Sequence, residues 1–155
     1  MIANVSPCIV VLDDDPTGTQ TVHNVPVLTC WDREALVTAL RELPLFYILT
    51  NSRALTAEES KQLHVELLTN LLDAAKSADR RIDIVSRSDS TLRGHYPMEC
   101  DVILKALSAH GDTLDGTMII PCFPEAGRVT IDDVHYATIE GKRIPVGETE
   151  FARDR

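Results

Sequence analysis

The chain has 155 residues, 44% of them hydrophobic and 25% charged, with a formal net charge of −9. That length suits one domain with a core of its own, since roughly 68–70% of the unfolded surface is buried at such a size. The acidic balance excludes a general binder of nucleic acid or of anionic membrane, which needs a basic face, but not an anionic small substrate, because a few local arginines override the global sign.

The opening "MIANVSPCIVVL" carries no basic region, and its apolar run is too short for a signal or a membrane span. Within it "CIVVL", residues 8–12, reads as a buried strand, and the acids Asp13, Asp14 and Asp15 follow, then Pro16, Thr17 and Gly18. "VPVLT", residues 25–29, is a weaker strand. Residues 31–43 have the pattern of a helix, with Asp32 as N-cap, Trp31 and Leu36 as a hydrophobic staple, Leu36, Ala39, Leu40 and Leu43 on one face, and Pro44 as the stop. "LFYILT", residues 45–50, is the next strand and runs into Asn51, Ser52 and Arg53.

The strongest helix signal spans residues 56–78. Thr56 and Glu59 form a capping box, and Leu63, Leu67, Leu71 and Ala75 recur every four residues. "IDIVS", residues 82–86, is a strand that runs into "SRSDSTLRG". Pro97 opens a helix to about Ser108, with Val102, Ile103, Ala106 and Leu107 inward and Gly111 beyond its end. "TMIIP", residues 117–121, reads as a further strand, and residues 134–146 as a hairpin turning near Glu140 and Gly141. Alternating strands and helices imply an α/β domain with a mainly parallel sheet flanked by helices and a C-terminal β-hairpin. Residues 1–147 form the domain. The acidic tail, residues 148–155, reads as the start of a linker.

Cys8, Cys30, Cys100 and Cys122 form no CxxC pair and suggest neither a disulfide framework nor a zinc site, so buried free thiols in a reducing, cytoplasmic setting are expected. The five histidines show no ligand spacing, and no metal site is read from them.

Four apolar strands each run into a polar cluster: Asp13 to Gly18, Thr50 to Arg53, Ser86 to Gly94, and Pro121 to Arg128. In a parallel sheet their carboxyl ends share one edge, where ligands of open α/β sheets bind. Singly, each cluster is explained by turn chemistry, because aspartate accepts local backbone hydrogen bonds. Jointly they point to a site.

Two enzymatic readings compete. Asp13, Asp15 and Thr17 fit the Asp-x-Asp-x-Thr motif of haloacid dehalogenase-like phosphatases, with Thr50 as their second motif and Asp132-Asp133 as a magnesium-holding pair; Asp13 would attack phosphorus. That reading leaves "SRSDSTLRG" without a role. The set "DDDPTGTQ", "TNSRAL", "SRSDSTLRGHYP" and "PCFPEAGR" instead resembles the N-terminal domain of the four-carbon acid sugar kinases, from about Ile9 to Arg153. The resemblance implies a domain that holds a sugar acid such as threonate, erythronate or an oxo-tetronate, with ATP and magnesium bound mainly by a separate C-terminal domain or subunit. It puts Asp14 and Asp15 at the family's paired aspartates, one of them as the catalytic base, and Asp14, Arg53, Ser86, Arg87, Ser88, Asp89, Ser90 and Arg93 on the substrate. Pro16 replaces the usual leucine or phenylalanine and Ser86 the usual lysine, which leaves the identity of the sugar acid open.

The chemistry suits the residues. Arginine grips a carboxylate with a bidentate fork, so Arg53, Arg87 and Arg93 are candidate clamps. Aspartates and serines accept from and donate to hydroxyls, and like charges raise one another's pKa, which helps a base. No GxxxxGK[ST] or GxGxxG phosphate loop occurs. The chain alone is therefore expected to bind a sugar acid without phosphorylating it, either as part of a kinase or as a stand-alone binding module. Its partners are the sugar acid and an ATP-binding domain, with no nucleic acid or membrane; a homo-oligomer is left open.

Overall fold

Alternation of apolar side chains along short β-branched runs builds the sheet. The structure, a computed structural model, describes residues 6–154. Strands β1 (Cys8–Asp13), β2 (Val27–Leu28), β3 (Leu45–Leu49) and β4 (Ile82–Arg87) form one parallel sheet in the order β2-β3-β1-β4. Helices α1 (Arg33–Glu42), α2 (Ala57–Ala78) and α3 (Met98–His110) pack in series, α1 on α2 and α2 on α3. Cys8, Val10 and Leu12 of β1 and Phe46 and Ile48 of β3 are buried with Leu36, Leu40, Leu67, Leu68 and Leu71 in one core. Each such side chain gains about 1.5–3 kcal/mol from burial. The alternate residues face the other side, where Ile9 is 37% and Val85 45% exposed, so the helices cover one face of the sheet.

The helix ends follow the sequence signals. The Asp32 carboxylate accepts from the Ala35 N–H at 3.0 Å, and both halves of the Thr56–Glu59 capping box are made. Gly111 closes α3 in the left-handed region, at φ 101°.

A second sheet of three antiparallel strands, in the order β5 (Arg128–Ile131), β6 (Val134–Ile139), β7 (Lys142–Pro145), completes the fold. The expected hairpin is β6–β7, turning at Glu140 and Gly141 with φ of 50° and 76°. β5 was not expected, because its sequence "RVTI" is too polar to read as a core strand. It forms because Asp132 and Asp133 both adopt positive φ, 47° and 63°, and turn the chain back into a second two-residue hairpin.

Two expectations are corrected. Residues 117–121 form no strand: Met118 is 84%, Ile119 58% and Ile120 69% exposed, and the segment crosses from α3 to β5 without joining a ladder. An apolar run becomes a strand only where another strand offers it hydrogen bonds, which composition cannot show. The cysteines are free, but only Cys8 is buried; Cys100 is half-buried, and Cys30 and Cys122 are exposed because they lie in the connections before α1 and before β5.

The tail beyond β7 makes two short 3-10 turns, Val146–Glu148 and Glu150–Asp154. Among the described residues no helix is long and apolar enough to cross a membrane. The reading of residues 1–5 as lacking a basic leader, and Arg155 of the expected linker, lie outside the described residues.

Candidate functional site

The parallel register decides which polar residues meet. Asp13, the last residue of β1, pairs with Leu49 of β3 on one side and Arg87 of β4 on the other. The loops leaving those two strands therefore emerge beside Asp14 and Asp15. Asn51, in the left-handed region at φ 52°, turns the chain so that the Arg53 N–H donates to the Asp14 carbonyl at 3.1 Å. The Asp14 N–H in turn donates to the Arg87 carbonyl at 3.2 Å.

Asp14 is the hub of the side chains. Its carboxylate is 2% exposed and accepts from Arg53 Nε at 3.1 Å, Arg53 Nη2 at 2.8 Å and Ser88 Oγ at 3.1 Å, with Arg87 Nη1 at 3.5 Å. One carboxylate at the end of β1 thus touches residues from the ends of both flanking strands, β3 and β4. Burial works against the Arg53 cation, but Asp14 outweighs it and raises the pKa.

The other acids differ in environment. Asp13 is fully buried; its Oδ1 accepts from Arg87 Nη1 at 3.2 Å, and its Oδ2 has no partner among the described residues. Burial raises its pKa, with Arg87 opposing. Asp15 is 24% exposed. Hydrogen bonds from Thr17 lower its pKa, its backbone N–H donating at 2.8 Å, and Arg53 Nη1 lies 3.3 Å away. Burial opposes ionisation of Asp89, but bonds from the Thr91 hydroxyl and Arg93 Nε outweigh it and hold the carboxyl below the usual range.

Three carboxylates (Asp13, Asp14, Asp15) and two guanidiniums (Arg53, Arg87) thus interlock, with the Asp89–Arg93 pair alongside, which is how consecutive acids coexist at one strand end. The glycine ending "DSTLRG" has a steric reason. A Cβ at Gly94 would run into the Ser88 side chain and come within 3.3 Å of Asp14 Oδ2.

The loop is tied to the second sheet as well. His135 Nε2 donates to the Ser90 carbonyl at 2.5 Å while its Nδ1 accepts from the Thr130 hydroxyl, and the Arg93 guanidinium lies 5.0 Å over the Phe151 ring.

Of the residues expected at the site, the catalytic candidates Asp14 and Asp15 and the substrate candidates Arg53, Arg87 and Ser88 meet directly, and Asp89 with Arg93 forms an adjoining pair. Ser90 takes part through its carbonyl. Ser86 faces Cys100 of α3 rather than the acids, because even-numbered positions of β4 face the helices. The fourth cluster, Pro121 to Arg128, does not end a strand of the parallel sheet, since residues 117–121 never join it. The phosphatase constellation is not assembled: Asp13 is wholly enclosed, and Asp132 and Asp133 sit at the exposed β5–β6 turn. A cavity of about 760 Å³ opens at the other end of the sheet, around Arg80, Ile82, Ile84 and Leu114, and shares no residue with the acidic rim.

Sequence reading missed a buried polar set beneath the rim: Ser52, Ser60, His64 and Glu99. Its signal was present, since Ser60 and His64 interrupt the apolar stripe of α2 that continues as Leu67, Leu68 and Leu71.

A family model described as a sugar-binding N-terminal domain matches residues 9–155. This is the domain to which the motifs pointed. No curated protein matches the chain.

Proposed function

The chain belongs to the sugar-binding N-terminal domain family, and from that premise we propose that it is the substrate-holding part of an ATP-dependent kinase acting on a four-carbon sugar acid of the threonate, erythronate or oxo-tetronate type. The observation that carries this reading is the Asp14 hub, which joins Arg53 and Ser88 from the two strands flanking β1. Such a rim offers what a small polyhydroxy acid needs: cations for its carboxylate, and carboxylates and hydroxyls for its alcohols.

Roles divide by exposure. Asp14 is enclosed and saturated, and it orients the arginines. Arg87 and Arg93 are 29% and 37% exposed and present the guanidinium edges open to a substrate carboxylate. Asp15 is ionised and accessible, so it is the base that accepts the proton of the reacting hydroxyl, a step worth roughly 10²–10⁴ in rate. Asp89, Ser88 and Ser90 flank the hydroxyl-bearing carbons.

Such a kinase also needs ATP and magnesium. Among the described residues no group of three or more His, Cys, Asp or Glu side chains is placed to hold a metal ion. Asp13, Asp14 and Asp89 are already paired with arginines. Both are assigned to an ATP-binding C-terminal domain or subunit, and the isolated chain is expected to bind without turnover.

Calorimetry with threonate and erythronate tests the reading. Saturable heat, reduced in Arg87→Ala and Arg93→Ala, is expected; no heat from a folded sample at millimolar ligand overturns it.

A further inference from the structure

Directly beneath the rim lies a polar group that the proposed function does not use. Ser52, Ser60, His64 and Glu99 are each 3% exposed or less. Glu99 Oε1 accepts from Ser52 Oγ at 2.7 Å and from Ser60 Oγ at 3.2 Å, and His64 Nε2 lies 3.8 Å from it. His64 Nδ1 donates to the Ser60 carbonyl at 2.8 Å, which turns its Nε2 toward the carboxylate. Glu99 stands in the first turn of α3, where the helix end favours a negative charge. Even so, enclosing a carboxylate is costly, and a well-packed apolar side chain would generally stabilise such a position as well or better. Core packing alone therefore does not account for it.

What the carboxylate holds is Ser52. Ser52 is held on every side: its hydroxyl donates to Glu99 at 2.7 Å and accepts from the Thr50 hydroxyl at 3.2 Å, and its carbonyl accepts from His95 Nε2 and the Leu55 N–H, both at 3.0 Å; Glu99 is the one of these partners that comes from the helical layer. The next residue is Arg53, whose N–H and guanidinium both close on Asp14. A shift of Ser52 would be passed straight to that fork.

We propose that Glu99 is a positioning residue: by clamping Ser52 from the helical layer it fixes the Arg53 fork on Asp14, while Ser60 and His64 complete the shell around its carboxylate. The consequence for affinity rests on the sugar-acid reading above; the positioning itself does not.

The test reads the Arg53 Nε–Hε resonance of the full, ligand-free chain by ¹⁵N NMR, assigned through its loss in Arg53→Lys. Ser52→Ala and Ser60→Ala each remove one hydroxyl from the same carboxylate, but only Ser52 lies on the arginine loop. Ser52→Ala is expected to shift and broaden the Arg53 signal and Ser60→Ala to leave it in place. Glu99→Ala should reproduce the Ser52→Ala effect, and Glu99→Gln, whose amide oxygen still accepts, should restore the signal. Threonate affinity should fall roughly three- to tenfold in Ser52→Ala, as for one lost hydrogen bond.

Equal Arg53 signals in folded Ser52→Ala and Ser60→Ala overturn the proposal, and these mild variants decide it if Glu99→Ala does not fold. Should the unmodified chain bind no sugar acid, the function reading fails while the Arg53 signal still decides the positioning role.

Discussion

Residues 8–111 and residues 112–154 are built on different principles. The first unit carries nearly all of the fully enclosed side chains, from Cys8 to Ile103, and a rim where every charged group has a partner. The second encloses Ala137, Val146 and Thr149 and otherwise relies on two tight hairpins. Its links to the site include His135 on Ser90 and Phe151 on Arg93. The difference teaches that burial and the paired charges are concentrated in the parallel unit, while the antiparallel sheet braces the loop that carries Ser90 and Arg93 from outside.

The largest expected effect lies in the parallel core. Phe46 is fully buried, and Phe46→Ala should cost about 3–5 kcal/mol in urea unfolding. Truncating half-buried Ile144 of β7 to alanine should cost well under half of that. Similar costs would break the comparison by showing that both sheets share one cooperative core.

Recognition comes next. Arg53→Ala should weaken threonate binding by roughly ten- to a hundredfold, as expected for charge-assisted hydrogen bonds. Arg80→Ala, at the far end of the sheet beside the cavity, should change it little. Equal losses in calorimetry would remove Arg53 from the site.

A pH experiment sharpens the comparison. Asp89 has a folded pKa below the ordinary 3.8, so its stabilisation is present above that value and is lost as pH falls through the folded pKa. Asp13 is raised, so its carboxyl favours the folded state below 3.8 and that contribution is lost as pH rises through the folded pKa. Asp89→Asn should flatten the acid limb of stability, and Asp13→Asn should change it with the opposite sign. Urea midpoints across the acid range that move alike in both variants would contradict the assignment.

The smallest effect belongs to the second sheet. Gly141 sits at φ 76° with open space where a Cβ would stand, so Gly141→Ala carries only a backbone penalty of about 1 kcal/mol. Hydrogen exchange should accelerate in β6 and β7 and stay unchanged in β1 and β3. A spread of the effect into β1 would mean that the two regions unfold as one.

Much of this was legible from single stretches. The capping box at Thr56, the leucine spacing of α2, the glycine after α3 and the aliphatic runs of β1, β3 and β4 are local signals, and each formed the element that it encodes. The "DSTLRG" motif and the Asp pair likewise marked the rim. By contrast, residues 117–121 have the composition of a strand and stay outside the sheet, and "RVTI" lacks it and pairs with β6.

The sequence by itself determined the helices, the buried strands and the residue types at their carboxyl ends, because periodicity and capping act over a few neighbouring residues. Only the tertiary structure decided that Asp14 is the shared carboxylate, that Ser86 turns toward α3, and that Glu99 reaches Ser52 across 47 positions of chain. Those contacts depend on strand order and register, which bring distant residues within hydrogen-bond range and leave no periodic trace along the chain.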